Sequence, residues 1–143
     1  MIRLIPLAFA ASLAGAAMAE APVITHVYDG SYEDALFSVE NAIVNQGLVV
    51  DYRSHIGEML ARTRQDVGGA PLFDAADAFL FCSAQVSRQE MEADPANIAY
   101  CPYSVFVTDR AGKVEIGYRS YPAGPMDAVE TLLGEIVAEA LAF

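Results

Sequence analysis

The sequence has little positive charge. Its 143 residues include 8 Lys and Arg against 19 Asp and Glu, which gives a net charge of −11 with both histidines neutral. A field of this sign repels nucleic-acid phosphates and anionic lipid heads, and no cluster of Lys and Arg interrupts it. We therefore expect no nucleic acid and no membrane surface as a partner. A cationic protein, a metal cation or a basic small molecule would fit this charge, and so would acidity that only keeps the protein soluble.

Motifs that would identify a cofactor or a metal are also missing. No glycine-rich phosphate loop follows any predicted strand. The two cysteines, Cys82 and Cys101, have no third ligand at a recognisable spacing, so a soft-metal site is the weaker interpretation of the pair. The acidic residues Glu90, Glu92 and Asp94 lack the glycine turn of a calcium loop and suit the solvated face of a helix. We predict no cofactor and no metal.

Histidine is as scarce as cysteine, with two residues of each. His26 falls within a predicted strand, where a hydrogen-bonded structural histidine is the common outcome. His55 follows Asp51 by four residues, close enough to form a pair, yet neither Ser nor Cys accompanies it in a known nucleophile motif. We assign no catalytic residue.

The N terminus has the pattern of an export signal. Arg3 precedes an apolar stretch over residues 4–14, and Ala17-Met18-Ala19 forms a small-x-small cleavage site. We predict a signal peptide over residues 1–19, a mature chain that begins at Glu20, and a periplasmic or secreted location. An uncleaved membrane anchor is the alternative. No cysteine follows the cleavage site to carry a lipid.

Apolar periodicity in the rest of the chain predicts a single α+β domain over residues 20–143. Amphipathic helices show apolar residues three and four apart, and strands show alternation or short β-branched runs. The predicted strands cover residues 23–28, 48–54, 78–84, 103–108 and 114–121, and the predicted helices cover residues 31–47, 56–68, 87–94 and 124–141. Ser31 is expected to cap the first helix, and Ser87 and Glu90 have the spacing of a capping box. In the second strand, Leu48, Val50 and Tyr52 are expected to lie on one face.

The last two strands predict the type of sheet. Asp109 to Lys113 form a hairpin turn between them, so at least one strand pair is antiparallel. We expect a two-layer sandwich with a mostly antiparallel or mixed sheet and amphipathic helices packed on one face. The strands over residues 78–84 and 103–108 are apolar on both sides. The second sheet face therefore needs a cover, such as a second copy of the chain, a curled sheet or the short helices.

Cys82 and Cys101 are interpreted as a structural disulfide. An exported protein meets an oxidising compartment, and the pair would close a loop of about 20 residues. Cys82 ends one predicted strand and Cys101 begins the next, so the thiols would meet across the sheet end if these strands are antiparallel neighbours. A redox-active pair is the alternative, although the pair lacks the Cys-x-x-Cys spacing that lowers a thiol pKa.

Aromatic residues around the hairpin form a candidate binding surface. If Asp109 pairs with Lys113, then Tyr118 lies opposite Ser104 and Tyr103 lies opposite Arg119. Tyrosine and arginine together make an amphipathic recognition surface. The candidate surface consists of Tyr100, Tyr103, Tyr118, Arg119 and Tyr121. Ordinary strand packing with hydroxyls at the rim, or a dimer contact, would explain the same residues.

The segment over residues 28–141 resembles the domain-of-unknown-function 302 family. The most specific parts are Phe81-Cys82-Ser83-Ala84 and Tyr100-Cys101-Pro102-Tyr103, followed by the hairpin into Val114. The resemblance implies a compact α+β domain, often exported, with no firmly assigned reaction and no catalytic residue to carry over.

Three functions remain as hypotheses. The first is an exported accessory module, in one form a homodimer, that binds a small molecule or a protein partner on the uncovered sheet face or in a cavity beneath it. The second is a thiol-disulfide redox protein that uses Cys82 and Cys101, which requires an accessible sulfur with a lowered pKa. The third is a structural or stress-related protein without a ligand.

Overall fold

A computed structural model of the protein describes residues 23–124 and 126–143. The predicted signal peptide lies outside the described residues. Along the chain the elements are β1 (Val23–Val27), α1 (Tyr32–Asn45), β2 (Val50–Ser54), α2 (Ile56–Val67), β3 (Ala75–Phe81), α3 (Ala84–Ala93), a 3-10 helix (Pro95–Tyr100), β4 (Tyr103–Arg110), β5 (Lys113–Arg119) and α4 (Asp127–Ala140).

The strands form one sheet in the order β1-β5-β4-β3-β2, and every neighbouring pair is antiparallel. Helices α1 and α4 pack against each other and against the central strands of the sheet. The predicted two-layer α+β sandwich is confirmed.

The core lies between this helix pair and one face of the sheet. Ser31 caps α1 by accepting a hydrogen bond from the Asp34 amide at 3.1 Å, as the sequence predicts. The buried residues of the two helices recur three and four apart, so each helix presents one apolar stripe to the sheet. These residues are Ala35, Leu36, Val39, Ala42 and Ile43 in α1, and Val129, Leu133, Ile136, Val137 and Ala140 in α4. From the sheet, Phe79, Val105, Val107 and Ile116 complete the core.

The opposite sheet face has much less cover. Alternation along β4 places Phe106 on this face, where its ring lies beside Gly117 of β5. Phe106 and Leu80 are half-buried, and Tyr52 of β2 is 64% exposed. Among the described helices, α2 contacts β3, where Gly57 lies against the backbone of Ala76. As expected from the sequence, the single chain therefore covers this face of the sheet only in part.

The boundary between β3 and α3 differs from the sequence prediction. The strand ends at Phe81, and Ser83 is the N-cap of α3, because its hydroxyl accepts a hydrogen bond from the Val86 amide at 3.3 Å. The predicted capping box from Ser87 to Glu90 was wrong, since both residues lie inside the helix. Ser83 stands directly after the strand and so caps the helix first.

The hairpin register was also predicted wrongly, by one residue. Arg110 pairs with Lys113, and Asp109 pairs with Val114. Ala111 and Gly112 have φ values of 55° and 80°, as in a two-residue turn whose twist matches that of the strands. The shorter turn changes every predicted partner across the hairpin, and Tyr121 lies beyond the end of β5.

Two further boundaries moved. The register of β2 shifts between Val50 and Tyr52, so the predicted alternation of Leu48, Val50 and Tyr52 on one face was wrong. A bulge of this kind displaces one residue from the ladder. Helix α4 begins at Asp127 rather than at Gly124, and Pro125 lies outside the described residues.

Candidate functional site

The two cysteines meet at one end of the sheet. Cys82 follows the last residue of β3, Cys101 lies two residues before β4, and Phe81 pairs with Tyr103 between these strands. The antiparallel register brings the two sulfur atoms to 2.8 Å, with both cysteines present as thiols. The two thiols therefore lie next to each other, as expected from the sequence, and the disulfide bond between them stays a prediction.

The thiol of Cys82 is not poised for reaction. Although much of the residue is exposed, burial of its sulfur, followed by the hydrogen bond with Cys101, raises the pKa of the Cys82 thiol to about 12. A thiol with such a pKa is protonated at neutral pH, whereas catalytic cysteines have lowered values. Cys82 in its thiol form therefore lacks the property that the attacking cysteine of an exchange enzyme needs.

Four of the five residues of the candidate binding surface lie together beside the cysteines. The Tyr121 ring is 6.1 Å from that of Tyr103 in an edge-on arrangement and 5.8 Å from that of Tyr100. The Arg119 guanidinium lies 4.9 Å from the Tyr121 ring centre and 5.2 Å from that of Tyr100. The Ser87 hydroxyl donates to the Tyr103 hydroxyl at 3.2 Å. We call Tyr100, Tyr103, Tyr121 and Arg119 the tyrosine cluster.

Burial limits what this cluster offers to a ligand. Tyr103 is 1% exposed and Tyr121 6%, and Tyr118 lies apart in the core, where it faces Gly134 of α4. Only Tyr100 and Arg119 reach solvent. The surface that the sequence predicts is thus reduced to two side chains above a packed aromatic layer.

A second polar cluster joins β2 to β3. Asp77 is buried, and its carboxylate accepts two hydrogen bonds from Arg53, one from Nε at 2.8 Å and one from Nη2. The other carboxylate oxygen lies 3.1 Å from His55 Nδ1. The predicted pair of His55 with Asp51 was wrong, because the partner comes from the neighbouring strand. Burial and then the charge of Asp77 raise the pKa of Tyr32, whose hydroxyl is also buried.

A structural role, the pairing of the buried Asp77 carboxylate, is enough to explain this cluster. A buried carboxylate must be paired, and Arg53 supplies the charge while it packs 5.3 Å from the centre of the Phe79 ring. Over the described ranges, 23–124 and 126–143, no group of three or more His, Cys, Asp or Glu side chains is placed to share a metal ion. His26 is exposed on β1.

The cavity beside α2 was not predicted from the sequence. It has a volume of about 290 Å³ and lies between α2 and the loop over residues 68–73. Its walls are formed by Gly57, Leu60, Ala61, Thr63, Arg64, Val67, Gly68, Gly69, Ala70, Pro71, Leu72 and Phe73. We call this space the α2 cavity. The apolar pair Leu72-Phe73 within a predicted loop was the only signal that could have found it.

Helix α2 has an unusual position for an amphipathic helix, because none of its 12 residues is buried. Val67 is 78% exposed, and in the adjoining loop Leu72 is 51% exposed and Phe73 37%. Single exposed apolar residues are normal, but a group of them around one cavity marks a place for binding.

The fold and these sites define the class of protein: a small antiparallel α+β sandwich with a paired-cysteine sheet end and an apolar cavity under one peripheral helix. The family model of the domain of unknown function DUF302 matches residues 24–141. The chain belongs to the DUF302 family, as the resemblance in its sequence indicated.

A solved structure has the same fold. The uncharacterized conserved protein DUF302 from Bacillus stearothermophilus is similar to this chain with a TM-score of 0.60 and 16% identity, over 85% of this chain and 93% of that one. No curated protein matches the chain. Among the described residues, no helix has the length and apolar character needed to cross a membrane.

Proposed function

We propose that this protein is an exported accessory module that binds a small apolar ligand in the α2 cavity. The observation that carries the proposal is the cavity itself, which combines a concave apolar wall with exposed apolar residues at its rim. Ligand sites in proteins are typically concave, mostly apolar spaces of about 300–1,000 Å³ with a few polar groups. At about 290 Å³ the α2 cavity lies just below the lower end of this range, so it suits a small molecule.

The weak burial of α2 supports the same conclusion. A ligand that fills the α2 cavity would remove Val67, Leu72 and Phe73 from water, at roughly 25 cal/mol for each Å² of apolar surface. The chain alone leaves this stabilisation unused. A protein partner that inserts one apolar side chain would use the same surface.

Export is proposed from the sequence pattern of residues 1–19. A disulfide between Cys82 and Cys101 would suit that compartment, and the adjacent sulfur atoms support it. In this proposal the bond ties the end of β3 to the start of β4 and takes no part in binding.

Thiol-disulfide exchange is the second candidate function, and the adjacency of the two sulfurs favours it. The raised pKa of Cys82 and the absence of a Cys-x-x-Cys spacing count against it. If the oxidised protein resists mild reductant in its native state, as judged by mass spectrometry, exchange is refuted.

The binding proposal is tested by NMR titration of the full mature chain with 1-octanol, a small neutral amphiphile. We expect amide shifts to concentrate in α2 and the loop over residues 68–73. Ala61→Phe, which places a ring in a cavity wall, should abolish the shifts. Gln65→Phe is the matched control, because Gln65 is on the same helix, exposed and outside the cavity wall.

Two results would contradict the proposal. Shifts that are equally strong in Ala61→Phe would place binding elsewhere. Shifts confined to the open sheet face around Phe106, or a chain that is dimeric through that face, would favour the sheet-face hypothesis instead.

A further inference from the structure

We propose that the ligand of the α2 cavity is an amphipathic carboxylate, with an apolar body of about ten non-hydrogen atoms and one negative charge. This inference rests on the proposed function, since it names the chemical class that the same cavity would take. It runs against the charge of the whole chain, which favours cationic ligands. The local distribution of charge at the cavity is the reason.

The cavity wall contains one arginine and no carboxylate. Of the 12 residues that form the wall, Arg64 is the only charged one, although acidic residues outnumber basic ones 19 to 8 in the chain. The acidic residues of α2, Glu58 and Asp66, are not part of the wall. An anion in the cavity would therefore meet one positive side chain and no carboxylate within the wall itself.

Arg64 is available to such an anion. Across residues 23–124 and 126–143 its guanidinium makes no ion pair, whereas Arg53 and Arg88 are paired with Asp77 and Glu92. A guanidinium can donate two parallel hydrogen bonds to one carboxylate, a geometry that adds both strength and orientation. A single arginine matches a single negative charge better than the double charge of a phosphate.

A second cation stands at the opposite wall. The guanidinium of Arg110 lies 5.9 Å from the centre of the Phe73 ring, and Phe73 belongs to the wall. Arg110 has no carboxylate partner in the described part of the chain either. Arg110 is not part of the wall, and its charge is partly offset by the Asp74 carboxylate, which accepts a hydrogen bond from the adjacent Ala111 amide at 2.6 Å.

The apolar part of the wall sets the size of the ligand. Leu60, Val67 and Leu72 are the aliphatic residues that would contact a chain or ring. A volume of about 290 Å³ holds about ten non-hydrogen atoms at roughly 30 Å³ each, the volume that one molecule takes in liquid water. Octanoate has this size.

The position of Arg64 on α2 limits how much affinity a carboxylate would gain over a neutral ligand. Arg64 lies in the last turn of α2, where the carbonyl end of the helix carries about half a negative charge, so part of the arginine charge is offset. Arg64 is also exposed, and exposed ion pairs contribute little. We expect a preference of about fivefold for the anion rather than a hundredfold one.

The test compares octanoate with 1-octanol by NMR titration of the full mature chain. Octanoate should bind about five times more tightly at low ionic strength, and added salt should remove the difference because screening acts only on the charged ligand. Arg64→Gln should bring octanoate to the affinity of 1-octanol. Arg62→Gln is the matched control, because it makes the same charge change on α2 outside the wall and should leave the preference in place.

The outcomes separate this inference from the proposed function. If both ligands bind the α2 cavity equally well in the unmodified protein, or if Arg62→Gln and Arg64→Gln act alike, the carboxylate inference is wrong and the binding module stands. If neither ligand shifts any amide of α2, both proposals fall.

Discussion

Two glycines, Gly117 of β5 and Gly134 of α4, should respond to the same substitution with opposite signs. A Cβ at Gly117 would lie 2.5 Å from the Ile24 carbonyl oxygen and 2.6 Å from Phe106 Cζ. A Cβ at Gly134 would meet the Tyr118 hydroxyl oxygen at 3.5 Å, an ordinary contact. Gly117→Ala should therefore destabilise the fold, and Gly134→Ala should stabilise it.

The magnitudes follow from these distances. At Gly117 the ring of Phe106 can move, but the Ile24 oxygen belongs to the backbone of β1, so the β1–β5 pair must separate. Overpacking of this kind costs about 1–3 kcal/mol, against a gain of about 0.5–1 kcal/mol when glycine leaves a strand. We expect a net loss of about 1–2 kcal/mol. For Gly134→Ala, helix propensity predicts a gain of up to about 1 kcal/mol.

Urea unfolding followed by far-UV circular dichroism measures both effects. The midpoint should fall for Gly117→Ala and rise for Gly134→Ala, with the same slope in both variants. A Gly117→Ala variant as stable as the unmodified protein would refute the packing of Phe106 across β5. A destabilised Gly134→Ala variant would refute the space for a Cβ between Gly134 of α4 and the Tyr118 hydroxyl.

Three further predictions concern the cysteines, a buried acid and a buried phenol. If Cys82 and Cys101 form the proposed disulfide, its reduction should lower the free energy of unfolding by about 3 kcal/mol, the entropy of closing a loop of about 20 residues. A reductant should have no effect on a Cys82→Ser, Cys101→Ser double variant, and an equal response of the two proteins in thermal unfolding would mean that no bond forms. Glu90 was predicted to lie on a solvated helix face, which was wrong: it is 2% exposed, and its Oε1 has no hydrogen-bond partner among the described residues. Glu90→Gln should therefore raise the urea midpoint by removing a buried carboxylate with an unpaired oxygen, and a lower midpoint would reveal a partner. Burial raises the pKa of Tyr121 to about 12, above its ordinary value of 10.0, so the folded state resists ionisation and its stability should fall as the pH rises from 10 to 12. The part of the 295 nm absorbance change that a Tyr121→Phe variant loses should titrate near pH 12, and a loss centred near pH 10 would contradict this burial.

The long helices and the sheet class could be predicted because each depends on a repeated local pattern. Ser31 marks the start of α1 through one hydrogen bond, and apolar residues at helical spacing determine the buried stripe. The antiparallel hairpin followed from the turn residues alone. Errors occurred where two local signals compete within a few residues, as with Ser83 and Ser87 for the cap of α3.

The candidate site could not be predicted in the same way. The α2 cavity depends on the path of the loop over residues 68–73 relative to α2, which no periodicity encodes. The pairing of His55 with Asp77 depends on the neighbour relation of β2 and β3, and the sequence offered Asp51 as a nearer partner. The burial of Tyr103 and Tyr121 depends on the packing of rings from three separate segments.

The bulge in β2 has a consequence for the protein at high concentration. β2 is an edge strand with Tyr52 exposed, and a straight edge of this kind offers its free backbone groups to any other chain. The register shift between Val50 and Tyr52 interrupts that row, so a second sheet cannot continue the ladder along its full length. At the other edge, β1 has only five residues. Among the described strands, both edges are thus short and one is interrupted, which limits the length over which another chain could extend the sheet.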